Sequence, residues 1–265
     1  MSFFYPVLVA VGLMLGILAC LELGRAAGSA RRARDPKGAS AGTGAIDGAV
    51  FALLGLLVAF SFSGAAVRFD GRRALVVQEA NAIGTAYLRI DVLPAEVQPR
   101  LREAMRGYLD ARLDIYRAVR EDGATSPAVD AALEKANAVQ GEIWRIAVAA
   151  CAVDPRPSTG PLVLPAFNAM FDVATTRTSA SRTHPPAVIF FVLLGLSLVA
   201  SLLAGDGLSV AGSRRWMHMI AFAAVMGLTV YVIMDLEFPR LGFFRVDDFD
   251  QFLREVRSSM GGGAA

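Results

Sequence analysis

The chain has 265 residues, of which 55% are hydrophobic, and its mean hydropathy is +0.49. This composition excludes an ordinary soluble domain of that size and is typical of a multi-pass membrane protein. The net charge of +2 provides no bulk electrostatic attraction to nucleic acid, so we expect the lipid bilayer and no nucleic acid as a partner.

The first apolar run covers residues 3–21 and is interrupted only by Pro6, Gly12 and Gly16. Its length of about 19 residues suits a transmembrane helix. A cleaved signal peptide is the alternative, but the opening MSFFYP carries no lysine or arginine and the run is longer than a usual signal-peptide core. We therefore favour a retained helix, in which Gly12 and Gly16 form a G-x-x-x-G pattern for close helix packing.

Residues 25–44 are rich in Gly, Ala and Ser and predict a connecting loop that carries five basic residues: Arg25, Arg31, Arg32, Arg34 and Lys37. The loop also contains a G-x-S-x-G at residues 38–42, but the hydrolase motif requires a strand-to-helix turn that such a loop does not provide. The sequence has no P-loop, no H-E-x-x-H and no dinucleotide-binding glycine pattern. From these missing motifs we expect no enzyme and no cofactor. Cys20 and Cys151 are the only cysteines, so we also expect no disulfide framework and no metal site.

The second apolar run, residues 45–70, leads without interruption into a charged segment with helical spacing. It provides about 22 residues without lysine or arginine, so we predict one long helix that starts in the membrane and leaves it unbroken. Small residues recur at spacings of three and four and predict a face for close helix packing: Gly48, Ala52, Gly55, Ala59 and Ser63. The roughly opposite face carries Ile46, Val50, Leu53, Leu57 and Phe60.

The polar region that follows is predicted to form an all-helical extramembrane domain, because it shows helical spacing and no alternating strand pattern. Apolar residues at that spacing predict helices over residues 101–119, 128–151 and 162–178. Pro94 and Pro127 fit the starts of the first two.

Two further membrane runs, residues 187–204 and 216–236, precede an amphipathic tail in which Phe249, Leu253 and Val256 share one side. The expected fold is an all-α membrane protein with four transmembrane helices and a helical soluble domain inserted between the second and the third. The expected segments are 1–66 with the first two spans, 67–184 for the helical domain, 185–238 with the last two spans, and 239–265 for the tail.

The side of the membrane on which the helical domain lies stays open. Lysine and arginine in short loops mark the cytoplasmic side, and the first loop together with Arg214 and Arg215 favours an outside domain. Arginines at the opposite membrane ends argue against this: Arg68, Arg72, Arg73, Arg177, Arg182, Arg240 and Arg245.

Charged residues near the ends of the second and fourth spans are candidates for ion pairs that couple the membrane bundle to the helical domain: Arg72, Arg73, Glu79, Asp235, Glu237 and Arg240. Solvated surface charges are the alternative, since exposed pairs contribute only ~0–1 kcal/mol. Gln78 and Asn81 form a polar patch with Glu79, for which we favour an intersubunit hydrogen bond. In the alternatives, Asn81 orients a backbone turn or helps to bind a ligand.

Three ionisable residues near membrane ends are interpreted as structural. Glu22 lies within reach of Arg25, and Asp47 lies in the first turn of its helix, where the helix dipole favours a carboxylate. His184 precedes two prolines and is interpreted as a boundary residue, with a pH-sensing role as the alternative.

Three long segments carry a resemblance to a known family: RFDGRRALVVQEANAIGTAYLRIDVLP, LPAFNAMFDVATTRTSASRTHPP and DLEFPRLGFFRVDDFDQFL. Together with the preceding GAVFALLGLLVAFSFSGAA they resemble the bacterial DUF4239 family, also called bestrophin-like. The resemblance covers nearly the whole chain and implies a multi-pass protein of the bacterial inner (plasma) membrane.

A more distant likeness to true bestrophins implies an anion channel, with chloride or another anion as the ion. It also implies a homo-oligomer, usually a pentamer, with a cytosolic helical domain. The second helix would then line a hydrophobic neck in which Leu53, Leu57 and Phe60 face the axis and gate by dewetting; in the alternative, this face contacts lipid or packs inside the bundle. The sequence departs from bestrophins after Phe69-Asp70, where Gly71-Arg72-Arg73 replaces their tryptophans and glutamate.

The other hypothesis for function is a non-conducting scaffold or sensor whose helical domain binds a partner.

Overall fold

The structure is a computed structural model that describes residues 4–34, 44–123, 126–210, 215–238 and 250–261. Within these ranges the chain is helical and contains no strand, as the sequence predicts. The helices are α1 Phe4–Arg34, α2 Gly44–Leu88, a short 3-10 helix Arg89–Val92, α3 Gln98–Asp122, α4 Pro127–Val153, α5 Thr159–Arg182, α6 Ala187–Leu208, α7 Trp216–Glu237 and α8 Asp250–Ser259.

Four helices, α1, α2, α6 and α7, are long and apolar enough to cross a membrane, which agrees with the four predicted runs. The prediction of an unbroken second helix is confirmed, because α2 runs through 45 residues. At 1.5 Å per residue this corresponds to about 68 Å, more than twice the ~30 Å thickness of a bilayer's hydrocarbon core.

The first helix is longer than predicted. The predicted loop at residues 25–44 was wrong over its first part, because α1 continues to Arg34. Alanine and arginine favour helix in this segment, and Arg31, Arg32 and Arg34 in the last turn complement the negative end of the helix dipole. The G-x-S-x-G at residues 38–42 lies outside the described residues.

A proline lies in the first turn of both α3 and α4. α3 begins at Gln98 with Pro99 in its first turn, so the predicted start at Pro94 was wrong. α4 begins at Pro127 as predicted, and the Ser126 hydroxyl accepts a 3.3 Å hydrogen bond from the Val129 amide as its N-cap.

The chain divides into two compact units. We call residues 2–68 and 184–238 the bundle unit, and residues 69–183 and 239–265 the helical unit.

Close backbone contact holds α1 against α6 in the bundle unit. A Cβ atom at Gly24 would overlap the carbonyl oxygen of Leu202, and one at Gly205 would overlap that of Leu21. Lipid is as apolar as a leucine side chain, so helices in a membrane associate through such close packing rather than through the hydrophobic effect.

The helical unit has a core that buries side chains from α2, α3, α4, α5 and α8, including Ile83, Leu101, Met105, Ile143, Phe167 and Leu253. Burial of Leu253 and partial burial of Val256 agree with the predicted apolar side of the tail, whereas Phe249 lies outside the described residues. Of these helices, α3 and α8 are the most strongly amphipathic, with an apolar face in this core.

Candidate functional site

A buried carboxylate lies among the helices of the helical unit. Glu79 of α2 is 0% exposed. Its Oε1 accepts a 2.6 Å hydrogen bond from Nε of Arg112 on α3, and its Oε2 accepts one of 2.6 Å from Nη1 of Arg177 on α5. Charge-assisted bonds of this kind are stronger than neutral ones, so this side chain binds α2 to two other helices.

Two more side chains complete this group. The Tyr116 hydroxyl donates a 2.9 Å hydrogen bond to Oε2 of Glu79, and Nη2 of Arg177 donates one of 2.6 Å to Oδ1 of Asp250 on α8. The Arg177 guanidinium also lies 3.8 Å from the centre of the Tyr116 ring, a cation–π contact. We call Glu79, Arg112, Tyr116, Arg177 and Asp250 the buried charge cluster; its two guanidiniums and two carboxylates balance.

Electrostatic interactions favour the charged forms of Glu79, Arg112 and Arg177. Burial alone would raise the pKa of Glu79, but the positive charges of Arg112 and Arg177 outweigh burial and hold that pKa below its usual 4.5. Burial lowers the pKa of each arginine, and the interactions with Tyr116 and Glu79 more than compensate, so both pKa values are raised. Glu79 therefore forms ion pairs with both arginines.

A second polar group lies in the bundle unit, near the end of α7. Glu237 is 0% exposed, and its Oε2 accepts a 2.8 Å hydrogen bond from Nε of Arg68. Its other oxygen, Oε1, lies 3.0 Å from Nδ1 of His184, whose ring stacks against Phe238 with 4.7 Å between centroids. The predicted boundary residue His184 thus has an acidic partner that its sequence position did not reveal.

Two of the remaining candidates for coupling, Arg72 and Arg73, have partners within the helical unit. Arg72 donates to the carbonyl oxygens of Ala180 and Thr183 at 3.2 and 3.0 Å, which satisfies the C-terminal end of α5. Arg73 pairs with Asp70 at 3.2 Å on the surface. Asp235 is buried in the bundle unit, and Arg240 lies outside the described residues. Coupling of the bundle to the helical domain through these residues stays a prediction.

The candidate pore residues lie on one flank of α2. Leu53 is 56% exposed and Phe60 is 67% exposed, whereas Leu57 is half-buried. Leu54 and Ala65 are the buried positions of this part of the helix. The single chain therefore leaves most of the candidate stripe uncovered.

The small-residue face of α2 is also uncovered. All five of its residues are exposed, and a Cβ atom at Gly48 or Gly55 would meet no atom within 4 Å. No described part of the chain therefore packs closely against these two glycines.

A family model described as a bestrophin-like domain matches residues 14–249. The chain belongs to the bestrophin-like family. A comparison with curated proteins and a comparison with solved structures find no match. The bestrophin-like family is not an enzyme family, and with four apolar helices this bestrophin-like chain is a multi-pass membrane protein.

Sequence reasoning missed most of the buried charge cluster of this bestrophin-like chain. One signal was available: Arg112 occupies the same helical stripe as Leu101, Met105 and Leu109, where spacing predicts burial. A buried arginine requires an acidic partner. The identity of that partner depends on how distant helices pack, which spacing within one helix does not encode.

Sequence reasoning also selected a different glycine pair on α1. A Cβ atom at Gly12 would meet open space, and one at Gly16 would lie 3.0 Å from the Leu198 side chain. Close contacts form instead at Gly24, against the Leu202 backbone, and at Gly28, against Asp206 and Ser209. These two glycines form a second G-x-x-x-G in the same helix.

Two of the acidic residues lie where predicted in this bestrophin-like chain. Oε2 of Glu22 accepts hydrogen bonds from Nε and Nη2 of Arg25 at 3.1 and 2.7 Å, and Asp47 lies in the first turn of α2. Gln78 and Asn81 are exposed on either side of Glu79, so their predicted intersubunit bond stays a prediction.

Proposed function

We propose that this chain is a subunit of an oligomeric anion channel in the bacterial inner membrane. The observation that carries the proposal is the exposure of α2. Its most apolar window is only 11% buried within the chain, against 50% for that of α7. A membrane helix so poorly covered by its own chain fits a position between subunits or at a shared axis.

In this proposal the second helix lines a hydrophobic neck, with Leu53, Leu57 and Phe60 towards the axis. Gly48, Ala52, Gly55, Ala59 and Ser63 lie on its other flank and allow a neighbouring copy to approach closely. Water leaves a sufficiently narrow apolar ring, and this dewetting closes the path to ions.

The helical unit would be the extramembrane domain inserted between the second and third spans. α2 continues from the apolar stretch into this unit, and Glu79 on that continuation binds α3 and α5 directly. A movement of the domain would therefore be transmitted to the neck along α2, without an intervening loop.

The first experiment is a subunit count by native mass spectrometry of the full-length protein in mild detergent. A ring of about five subunits supports the channel, as the bestrophin likeness implies, and a monomer or dimer contradicts it. Chloride flux into liposomes then tests the neck. We expect Phe60→Ala or Leu57→Ala to change flux or selectivity.

The matched control is Phe191→Ala, because Phe191 is an equally exposed phenylalanine on α6, at 71%. Equal flux in Phe60→Ala, Phe191→Ala and the unmodified protein would contradict the assignment of the neck.

A second candidate function is a non-conducting scaffold or sensor whose helical domain binds a partner. One observation favours it: the helical unit exposes apolar side chains near one end, with Leu88 at 70%, Val153 at 77% and Leu162 at 45%. The Arg89 guanidinium donates to the Leu162 carbonyl oxygen, and Arg156 donates to that of Val92 at 2.7 Å, which brings these segments together. Exposed apolar patches often mark interaction surfaces. A monomer without flux would favour this candidate.

A further inference from the structure

A cavity of about 480 Å³ lies in the helical unit between α3, α4 and α5. Each helix contributes residues at helical spacing, among them Tyr108, Arg112, Asn137, Gln140, Ser179 and Arg182. Small-molecule sites typically measure ~300–1,000 Å³, so this cavity has room for a metabolite.

The cavity is electropositive. Among the residues that the structure describes, its charged lining residues are Arg112 and Arg182, and none of the lining side chains is a carboxylate. Glu79 balances Arg112 within the neutral buried charge cluster. Arg182, by contrast, is exposed at the end of α5 and forms no ion pair with a carboxylate in the described part of the chain. The surplus charge favours an anion.

Tyr108 lines the cavity and carries a buried, unsatisfied hydroxyl. The residue is 1% exposed, and its hydroxyl has no hydrogen-bond partner among the described residues. Most buried hydroxyl groups are paired, so an unpaired one needs an explanation. Burial raises the pKa of Tyr108 to about 12, so the hydroxyl is protonated at neutral pH. It can therefore donate a hydrogen bond to an acceptor.

Other polar groups of the lining indicate which further chemical groups the ligand would carry. The hydroxyls of Thr175 and Thr178 donate to the carbonyl oxygens of Phe171 and Ala174 at 3.0 and 2.9 Å, so their oxygens remain free to accept. The amides of Asn137 and Gln140 both donate and accept.

We propose that this cavity binds a small organic anion, with a carboxylate or phosphate towards Arg182 and Tyr108 and with hydroxyl or amino groups towards the threonines and amides. The site lies within the helical unit of one chain. It requires neither conduction nor oligomerisation, so its failure is distinguishable from that of the proposed channel.

The experiment measures thermal unfolding of the full-length protein in detergent at constant ionic strength. The probes are glutamate, citrate, glucose 6-phosphate and adenosine monophosphate, each titrated separately. Glutamine, glucose and adenosine are the uncharged counterparts, and inorganic phosphate and chloride test for unspecific ion effects. A ligand that binds only the folded protein raises the melting temperature in a saturable manner. We expect this for at least one organic anion and not for its uncharged counterpart.

Three variants locate the site. Arg182→Gln and Tyr108→Phe are expected to raise the half-saturating concentration about tenfold or more, because each removes a hydrogen bond to the anionic group. The control Arg117→Gln changes an exposed arginine of α3 that pairs with Asp114 and lies outside the cavity, so it should bind as the unmodified protein does.

Tyr108→Phe should leave the melting temperature of the ligand-free protein unchanged or slightly higher, since its hydroxyl has no partner to lose. The proposal is overturned if no organic anion gives a saturable shift, or if inorganic phosphate or the uncharged counterparts shift unfolding equally. Equal affinity in Arg182→Gln, Tyr108→Phe and Arg117→Gln would overturn it as well.

Discussion

Glu79 and Arg112 are 33 residues apart in sequence, yet the carboxylate accepts a 2.6 Å hydrogen bond from the guanidinium, and both side chains are almost fully buried. Burial of two charges is expensive, and the mutual attraction offsets this cost only while both partners are present. The stability of the helical unit therefore depends on this ion pair as well as on the apolar core.

Glu79→Gln is expected to destabilise the helical unit by about 3–5 kcal/mol, the usual cost of removing one partner from a buried ion pair. The change leaves Arg112 and Arg177 buried with a neutral amide between them. Thermal unfolding followed by circular dichroism measures the effect. The control Glu103→Gln removes a 75% exposed carboxylate that pairs with Arg106 one turn along α3, and should change stability by less than about 0.5 kcal/mol. Similar melting temperatures for the two variants would contradict a stabilising role for Glu79.

The stability of the protein should depend on Glu79 in acid. In the unfolded chain this carboxyl protonates near pH 4.5, whereas in the folded protein its pKa is lower. The unfolded state therefore binds more protons between these two values, and the free energy of unfolding falls as the pH falls from about 4.5 through the folded pKa. Melting temperatures between pH 6 and pH 3 should fall more steeply for the unmodified protein than for Glu79→Gln. Parallel curves of melting temperature against pH would show that Glu79 does not contribute to the pH dependence of stability.

Gly205→Ala should destabilise the bundle unit, because the added Cβ atom would overlap the Leu21 carbonyl oxygen and force α1 and α6 apart. Overpacking of this kind costs about 1–3 kcal/mol. Gly195→Ala is the matched control on the same helix, where a Cβ atom meets open space and alanine is the better helix former. Melting of the two purified variants in detergent compares them, and an unchanged melting temperature for Gly205→Ala would argue against the contact.

Gly55→Leu tests whether the small-residue face of α2 packs against another copy. Within the chain the position is open, so the larger side chain should not disturb the fold of the subunit. It should prevent close approach of a neighbouring helix and reduce the subunit number seen by native mass spectrometry. Gly12→Leu on α1 is equally open and should leave the assembly intact. An oligomer unaffected by Gly55→Leu would place the subunit interface elsewhere.

The apolar helices and the continuity of α2 could be predicted from the sequence for a simple reason. Each run of about 18 or more apolar residues exceeds what a soluble core helix needs, and nothing between Ala66 and Leu88 breaks the helical pattern. The buried stripe of α3 followed from its periodicity in the same way. These features depend only on residues that are close in sequence.

The partners of the charged residues could not be predicted, because they depend on the packing of distant helices. Arg177 and Glu79 are 98 residues apart, and Arg177 and Asp250 are 73 residues apart. The close contact at Gly24 could not be predicted for the same reason. α1 contains two G-x-x-x-G patterns, and the point at which α6 crosses α1 determines that Gly24 lies in the contact. Such crossing points are properties of the fold and not of either helix.

The position of Asp250 has a consequence for biosynthesis. A ribosome completes α8 only after every other member of the buried charge cluster has been made, since chains grow from the N-terminus. Until then Arg112 and Arg177 share a single carboxylate, and a closed core would hold one surplus positive charge. The helical unit is thus expected to close only once translation has passed α8, and a product that stops after α7 would remain open to proteases.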